Sequence, residues 1–467
     1  MRNNSIEKYS ILFIPWIIAL LFQSHPEFSY FIAWLGSFFI FYVTLSGQLK
    51  PLPTDRRLSE QLMRPIFLVQ IIFAGYTCCT SIFYFLSVLG YENFHKTNPF
   101  YLVDINALMI TARCQRYYCL GHAAFVTGIL IFMDYPVKKK YYYDKENLPN
   151  LLLAFALISF PLSEVFLHVP GLSQFYTQFN SLSFISGTLA LAFAIPLKNV
   201  RNILICLLLF VFNFYQALTS GFKEPIIISV LVLGIFLYPT YKKLVTVIFI
   251  PLLLSLFFLL PTFNTVFRAN AWSGDTNTDD ATQLALDATF NSSTGLGDTN
   301  WQFLTTRLSE VDMFTKFVQS TPVNIPYYKT KILQQSAEAI VPRLFWPSKP
   351  NTEDLIMERV YDAGVIYRGE EVSAKPAFIV DAYLSYGAWG IFIFMFAYGA
   401  IAQIIANKAE ELFAGYILGI ALIFSGLFQI FWRGLSFEFI INVIFWSYVS
   451  MLIIFKILRA KNILKEI

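Results

Sequence analysis

The ionisable side chains that could do chemistry here are few, and most sit where apolar or proline-bounded sequence gives a charge little ordinary reason to be. Lys223 and Glu224 fall in the turn LTSGFKEP, Arg268 follows an apolar run, and Arg307 and Glu310 are three residues apart. Arg343 stands in VPRLFWPSKP, Asp381 inside an apolar segment, and Arg433 in FWRG. The planar guanidinium fork binds phosphate oxygens two at a time and keeps its charge near neutral pH, so arginines converging on a cavity would suit a pyrophosphate. A carboxylate beside a hydroxyl can serve as general base, and Glu310 and Asp381 are the candidates, unranked. The plainer roles are a helix-borne ion pair for Arg307 with Glu310, a rim charge for Arg343, and a helix-to-helix salt bridge for Asp381.

Other chemistries find no support. His25, His95, His122 and His168 are scattered without HxxxH or HExxH spacing, and the five cysteines show no CxxC pair, so no metal or other cofactor is expected. No glycine-rich phosphate loop is present, which argues against nucleotide hydrolysis. The net charge of +4 would hint at nucleic acid in a soluble protein. Here its distribution points to a membrane, and no nucleic-acid partner is expected.

The elements that must position these residues are apolar. At 56% hydrophobic, 18% aromatic and 14% charged, with mean hydropathy +0.57, the chain is far from an ordinary soluble composition. A hydrocarbon core takes about 20 apolar residues per helix, and the runs 9–22, 28–45, 66–90, 117–133, 151–168, 181–197, 202–219, 225–238, 244–263, 376–406, 412–431 and 436–457 answer to about twelve transmembrane helices. The first lacks a small-residue cleavage site and reads as retained. With Met1 cytoplasmic, inside segments carry nineteen Lys and Arg and the short outside loops five, the bias expected of an inserted protein with both termini cytoplasmic. The expectation is an all-α, polytopic integral membrane protein. It divides into a bundle of about nine helices over 1–263, a large extracytoplasmic loop or cap over 264–375, and about three helices over 376–467. Within the cap, 273–300 reads as a mobile polar loop. Leu304, Leu308, Val311, Phe314 and Val318 predict one amphipathic helix from Trp301 to Ser320.

This plan, together with the LTSGFKEP turn, VPRLFWPSKP, the following SAKPAFIVDAYLSYGAWG and the Arg433–Gly434 pair, resembles the bacterial O-antigen polymerases, the Wzy-type oligosaccharide repeat-unit polymerases. The resemblance covers nearly the whole chain. It implies a metal-independent, inverting transfer that joins oligosaccharide units carried on undecaprenyl pyrophosphate at the periplasmic face of the bacterial inner membrane. Flippase and chain-length regulator proteins are the implied partners. By position, Arg268, Arg343 and Arg433 would hold the pyrophosphate, with Lys223 and Arg307 as further cations. The similar O-antigen ligases use a histidine in the large loop, and residues 264–375 contain none. A transporter or flippase of lipid-linked saccharide is the main alternative, although no paired repeats are visible. A non-catalytic scaffold of an export complex is another.

Overall fold

A computed structural model of the chain describes residues 6–96, 98–134, 140–198, 200–219, 224–271, 277–290, 296–369 and 374–467. The chain is mostly helical. In order run α1 (Ile14–Leu21), α2 (Pro26–Leu45), α3 (Leu68–Val88), α4 (Ile105–Phe132), α5 (Leu148–His168), α6 (Tyr176–Ala194), α7 (Val200–Thr219), α8 (Glu224–Leu237) and α9 (Lys242–Ala271). The cap follows with α10 (Thr278–Phe290), α11 (Leu296–Gln302), α12 (Val311–Ser320), α13 (Lys331–Ile340) and α14 (Thr352–Asp362). The chain then returns through α15 (Phe378–Leu412), α16 (Ile417–Leu427), the short α17 (Ile430–Arg433) and α18 (Phe437–Ala460). Among the described residues the strands are two antiparallel pairs, Tyr91–Glu92 with His95–Lys96 and Tyr141–Tyr142 with Lys465–Glu466. Among the described residues seven helices, α2, α3, α5, α7, α9, α15 and α18, are long and apolar enough to cross a bilayer, which fits an all-α membrane protein.

Each apolar run carries a helix, but three local readings change. The first concerns α4, which begins at Ile105 rather than 117 because the Asp104 carboxylate caps it, accepting from the amides of Asn106 (2.8 Å) and Ala107 (3.2 Å). Arg113, Gln115 and Arg116 therefore lie on the helix, and Arg116 donates to Ser29 Oγ at 2.7 Å. Protein, not lipid, surrounds α4, so it tolerates polar residues that a lipid-facing helix would not. It meets α15 backbone to backbone: a Cβ on Gly128 would lie 2.2 Å from Phe396 O, and one on Gly399 2.0 Å from Phe125 O.

The second correction is in the cap. The polar stretch after residue 276 contains α10 and α11, while 272–276 and 291–295 lie outside the described residues. The third is the helix expected from Trp301 to Ser320, which divides. A π-helical turn over Phe303–Arg307 ends before Glu310, which adopts a left-handed φ of 54°, and α12 starts afresh at Val311. The five apolar residues that suggested one helix are all buried, but Leu304 lies on the π-helical turn, Leu308 just beyond it, and Val311, Phe314 and Val318 on α12.

α15 is interrupted. Tyr386 (φ −147°, ψ 28°) and Gly387 (φ 61°, ψ −138°) break it into a short arm, Phe378 to Ser385, and a long one that runs on to Leu412. The short arm doubles back on the long one, so that the Phe378 ring stacks on Tyr398 at 4.7 Å. Helix ends leave carbonyls without partners, and in an apolar setting each is costly. Here the cap supplies the donors: Tyr328 N bonds Leu384 O at 2.9 Å and Lys329 N bonds Ser385 O at 3.1 Å.

Contacts sort the helix ends into two groups. In one, Lys50 reaches Leu130 O, Arg64 pairs with Asp55 and Glu410, Asn202 bonds Asn150, and Tyr141–Tyr142 pairs with Lys465–Glu466. In the other, Asn93 bonds Asp298 and Phe378 N bonds Gly434 O, while further along α3 and α18 Tyr76 bonds Arg307 O and Trp446 bonds Ile340 O. The cap belongs to the second group.

Candidate functional site

Where the cap meets the bundle there is a cavity of about 260 Å³, walled by the turn after α5, the α13–α14 connection and the start of α18. From the cap come Arg343 and Lys349; from α18, Glu438 and Asn442; from the turn, Gln174. Pro342 starts a tight turn in which Phe345 N and Trp346 N both bond its carbonyl, at 3.0 and 3.1 Å, and this sets Arg343 at the cavity rim. The Arg343 guanidinium is exposed, and its contact among the described residues is a long one, 3.4 Å to Pro350 O. Lys349 is buried and donates to Ala339 O (3.1 Å) and Val341 O (2.7 Å), closing the carbonyl end of α13 where a cation is favoured. Burial, and then the nearby Arg343, lowers its pKa from the usual lysine range.

Two amide groups at this cavity are buried without partners among the described residues: Gln174 Nε2, a donor, and Asn442 Oδ1, an acceptor. Buried polar atoms are ordinarily paired, so such groups call for a ligand or water. Glu438 borders the cavity but is fully buried, its carboxylate held by a guanidinium. Arg359 of α14, itself buried, donates to its two oxygens at 2.6 and 3.0 Å and to Asp381 Oδ2 at 3.4 Å. Burial works against the charge of Arg359, but Asp381 and Glu438 more than offset it and raise its pKa. Asp381 also accepts from Phe437 N at 2.9 Å.

The residues expected from sequence are thus spread out. Arg343 reaches the cavity. Asp381 is fully buried, as an acid in an apolar helix must be, and is tied to Arg359 instead of lining either cavity. Glu310 lines a second, small cavity of about 30 Å³ with Tyr76, Thr77, Trp432 and Gly434, which places it beside the backbone around Arg433. The break before Val311 takes Glu310 off any helix shared with Arg307, whose side chain is exposed. Arg268, at the end of α9, lines neither cavity. Lys223 and the side chain of Arg433 lie outside the described residues. Among the described side chains, Arg268 and Arg343 therefore do not meet at either of these cavities.

Sequence reasoning passed over Glu438, Arg359, Gln174 and Asn442. For Glu438 a signal existed, an acid within the apolar FEFIINVIF, the same signal that singled out Asp381. Arg359 sits in the charged stretch of the cap, where nothing in the local pattern distinguishes it.

Fold and site together describe a mostly helical membrane protein with a polar, cation-rimmed cavity between bundle and cap. Over residues 14–466 the chain matches the family described as a domain of unknown function (DUF8712), and it belongs to that family. No curated protein and no solved structure matches it.

Proposed function

We propose that the chain is a membrane glycosyltransferase, a polymerase that joins lipid-pyrophosphate-linked oligosaccharide units. The observation that carries this reading is the make-up of the larger cavity. It has a lightly engaged guanidinium for phosphate oxygens, an unpartnered amide donor and an unpartnered amide acceptor for hydroxyls, and a fixed carboxylate. In the proposed step an acceptor hydroxyl attacks the anomeric carbon from the face opposite the pyrophosphate. The new carbon–oxygen bond forms as the bond to the pyrophosphate oxygen breaks. The hydroxyl proton passes to a carboxylate, and Arg343 takes up the charge developing on the leaving group. Of the carboxylates considered, Glu438 is the one at this cavity, whereas Glu310 and Asp381 are not.

The proposed topology has twelve traverses with both termini cytoplasmic, in the bacterial inner membrane. Where contacts place both ends of a helix they fit such alternation: α3 runs from the Arg64 group to the Asn93 group, and α18 from Gly434 to the Lys465 group. The lysine and arginine bias supports the orientation. The interrupted α15 favours one alternative, a transporter of lipid-linked saccharide, because broken helices line many transport sites.

The deciding experiment incubates protein in nanodiscs with undecaprenyl-pyrophosphate oligosaccharide and separates the products by size. A ladder is expected. A single addition would indicate a ligase. Unchanged substrate that appears on the opposite side of a proteoliposome would indicate transport.

A further inference from the structure

The turn that carries Arg343 is out of place for a solvent-facing loop. Leu344 is 54% exposed and Phe345 75% exposed, side by side with Val341 at 36%. Two observations locate these apolar side chains relative to the spanning helices. First, the carbonyl of Ile340, the residue before Val341, accepts from Trp446 Nε1 at 2.8 Å. Trp446 lies nine residues into α18, about 14 Å along its axis at 1.5 Å per residue. α13 therefore runs beside the first turns of α18 as far as Trp446. Second, the turn rests on the end of α5: a Cβ on Gly171 would lie 2.7 Å from Leu344 N, and Gly171 is three residues beyond His168, where α5 ends. The end of α5 exposes Val165, Leu167 and Val169, so exposed apolar side chains lead up to the Gly171 turn on which Leu344 rests. Trp446 packs edge-on against Phe175 at 5.0 Å, which holds the α5–α6 turn and the end of α13 at one level.

We infer that the turn Val341–Trp346 is immersed in the leaflet on the cap side, with Leu344 and Phe345 among acyl chains and Arg343 at the level of the lipid phosphates. An arginine flanked by apolar residues suits that boundary, where its stem lies in the apolar layer and its head reaches phosphate. The larger cavity, which Arg343 rims, then opens sideways to a lipid phosphate in the leaflet as well as to water. This geometry holds whether or not the chain transfers sugars, and its test is separate from the product ladder.

The test uses Phe345→Cys and, as a second position, Leu344→Cys, each carrying an environment-sensitive fluorophore in nanodiscs of phosphatidylglycerol and phosphatidylethanolamine. Cys79 is replaced by alanine, the other four cysteines being buried. Tyr367→Cys, at an exposed cap residue, is the aqueous reference. Quenching by a lipid bearing its spin label near the headgroup is compared with quenching by iodide. At 345 and 344 the lipid-borne quencher is expected to act at least threefold more strongly than iodide, with the order reversed at 367. Iodide quenching at 345 and 344 equal to that at 367 would overturn the inference. So would protection from both quenchers, which would mean that protein covers the turn. For the source of the phosphate, titration of the labelled protein with inorganic phosphate is compared with exchange into nanodiscs of galactolipid, which carries no phosphate. A response to lipid composition alone is expected, and a response to inorganic phosphate alone would overturn the lateral route.

Discussion

Arg359 and Glu438, 79 residues apart in sequence, share two hydrogen bonds of 2.6 and 3.0 Å in a fully buried setting, and through them the cap helix α14 is bolted to the first turn of α18. Asp381 joins the same guanidinium from α15, so one cation holds two carboxylates and three helices.

Removing that cation strands both acids. Arg359→Met is expected to destabilise the protein by about 3–5 kcal/mol, the usual cost of leaving a buried partner unpaired. Adding Asp381→Asn and Glu438→Gln to it should recover a large part. Thermal unfolding in detergent, followed by tryptophan emission, measures both. Additive losses across the three substitutions would refute the shared-cation account.

At the cavity rim, Arg343→Lys keeps the charge and loses the fork. Product formation is expected to fall about tenfold or more, equivalent to about 1.4 kcal/mol of binding or barrier, at matched expression. Arg307→Lys, at an exposed position that lines neither cavity, should leave it unchanged. Equal activity of the two variants would remove bidentate phosphate binding from Arg343.

The α4–α15 crossing allows no side chain at Gly128 or Gly399, because backbone stands where a Cβ would go. Either Gly→Val substitution should separate the helices, lowering stability by about 1–3 kcal/mol or more. Gly75→Ala in α3, where a Cβ meets nothing within 4 Å, is the matched control. The readout is the fraction of monodisperse protein after extraction.

On the opposite side of the bundle, Asp55 pairs with the buried Arg64 at 2.8 Å. Burial pushes the Asp55 carboxyl up, but the hydrogen bonds and charge of Arg64 outweigh it and hold it below the usual aspartate range. A carboxyl depressed on folding contributes stability that is present above its unfolded pKa and lost as pH falls through the folded one. The contribution should be constant from neutral pH down to about pH 5 and should decline below about pH 4. Asp55→Asn should flatten that acid limb, as read from thermal midpoints between pH 3 and 7.

Much of the architecture was legible because lipid imposes length and hydropathy, and every apolar run carries a helix. α4 was misjudged at its start for the converse reason. Shielded by its neighbours, it keeps Arg113, Gln115 and Arg116 on the helix, and hydropathy records contact with lipid, not helicity. The α12 region misled because burial alone sets its apolar spacing, which a reversal at Glu310 preserves. The cavity was legible only through Arg343. Gln174, Asn442 and Glu438 come from separate segments, and no one-dimensional pattern brings them together.

The doubled-back short arm of α15 ends on two amides of the cap, Tyr328 N and Lys329 N. In a ribosome-ordered history those donors are synthesised before the carbonyls they serve, so the arm has its partners waiting when it emerges. Cutting the cap away would leave Leu384 O and Ser385 O bare in an apolar interior. The cap is therefore no detachable module. A protein built from residues 1–263 joined to 376–467 by a linker would lack the element that completes its tenth apolar run, and grafting the cap onto another bundle would transplant a half-finished helix.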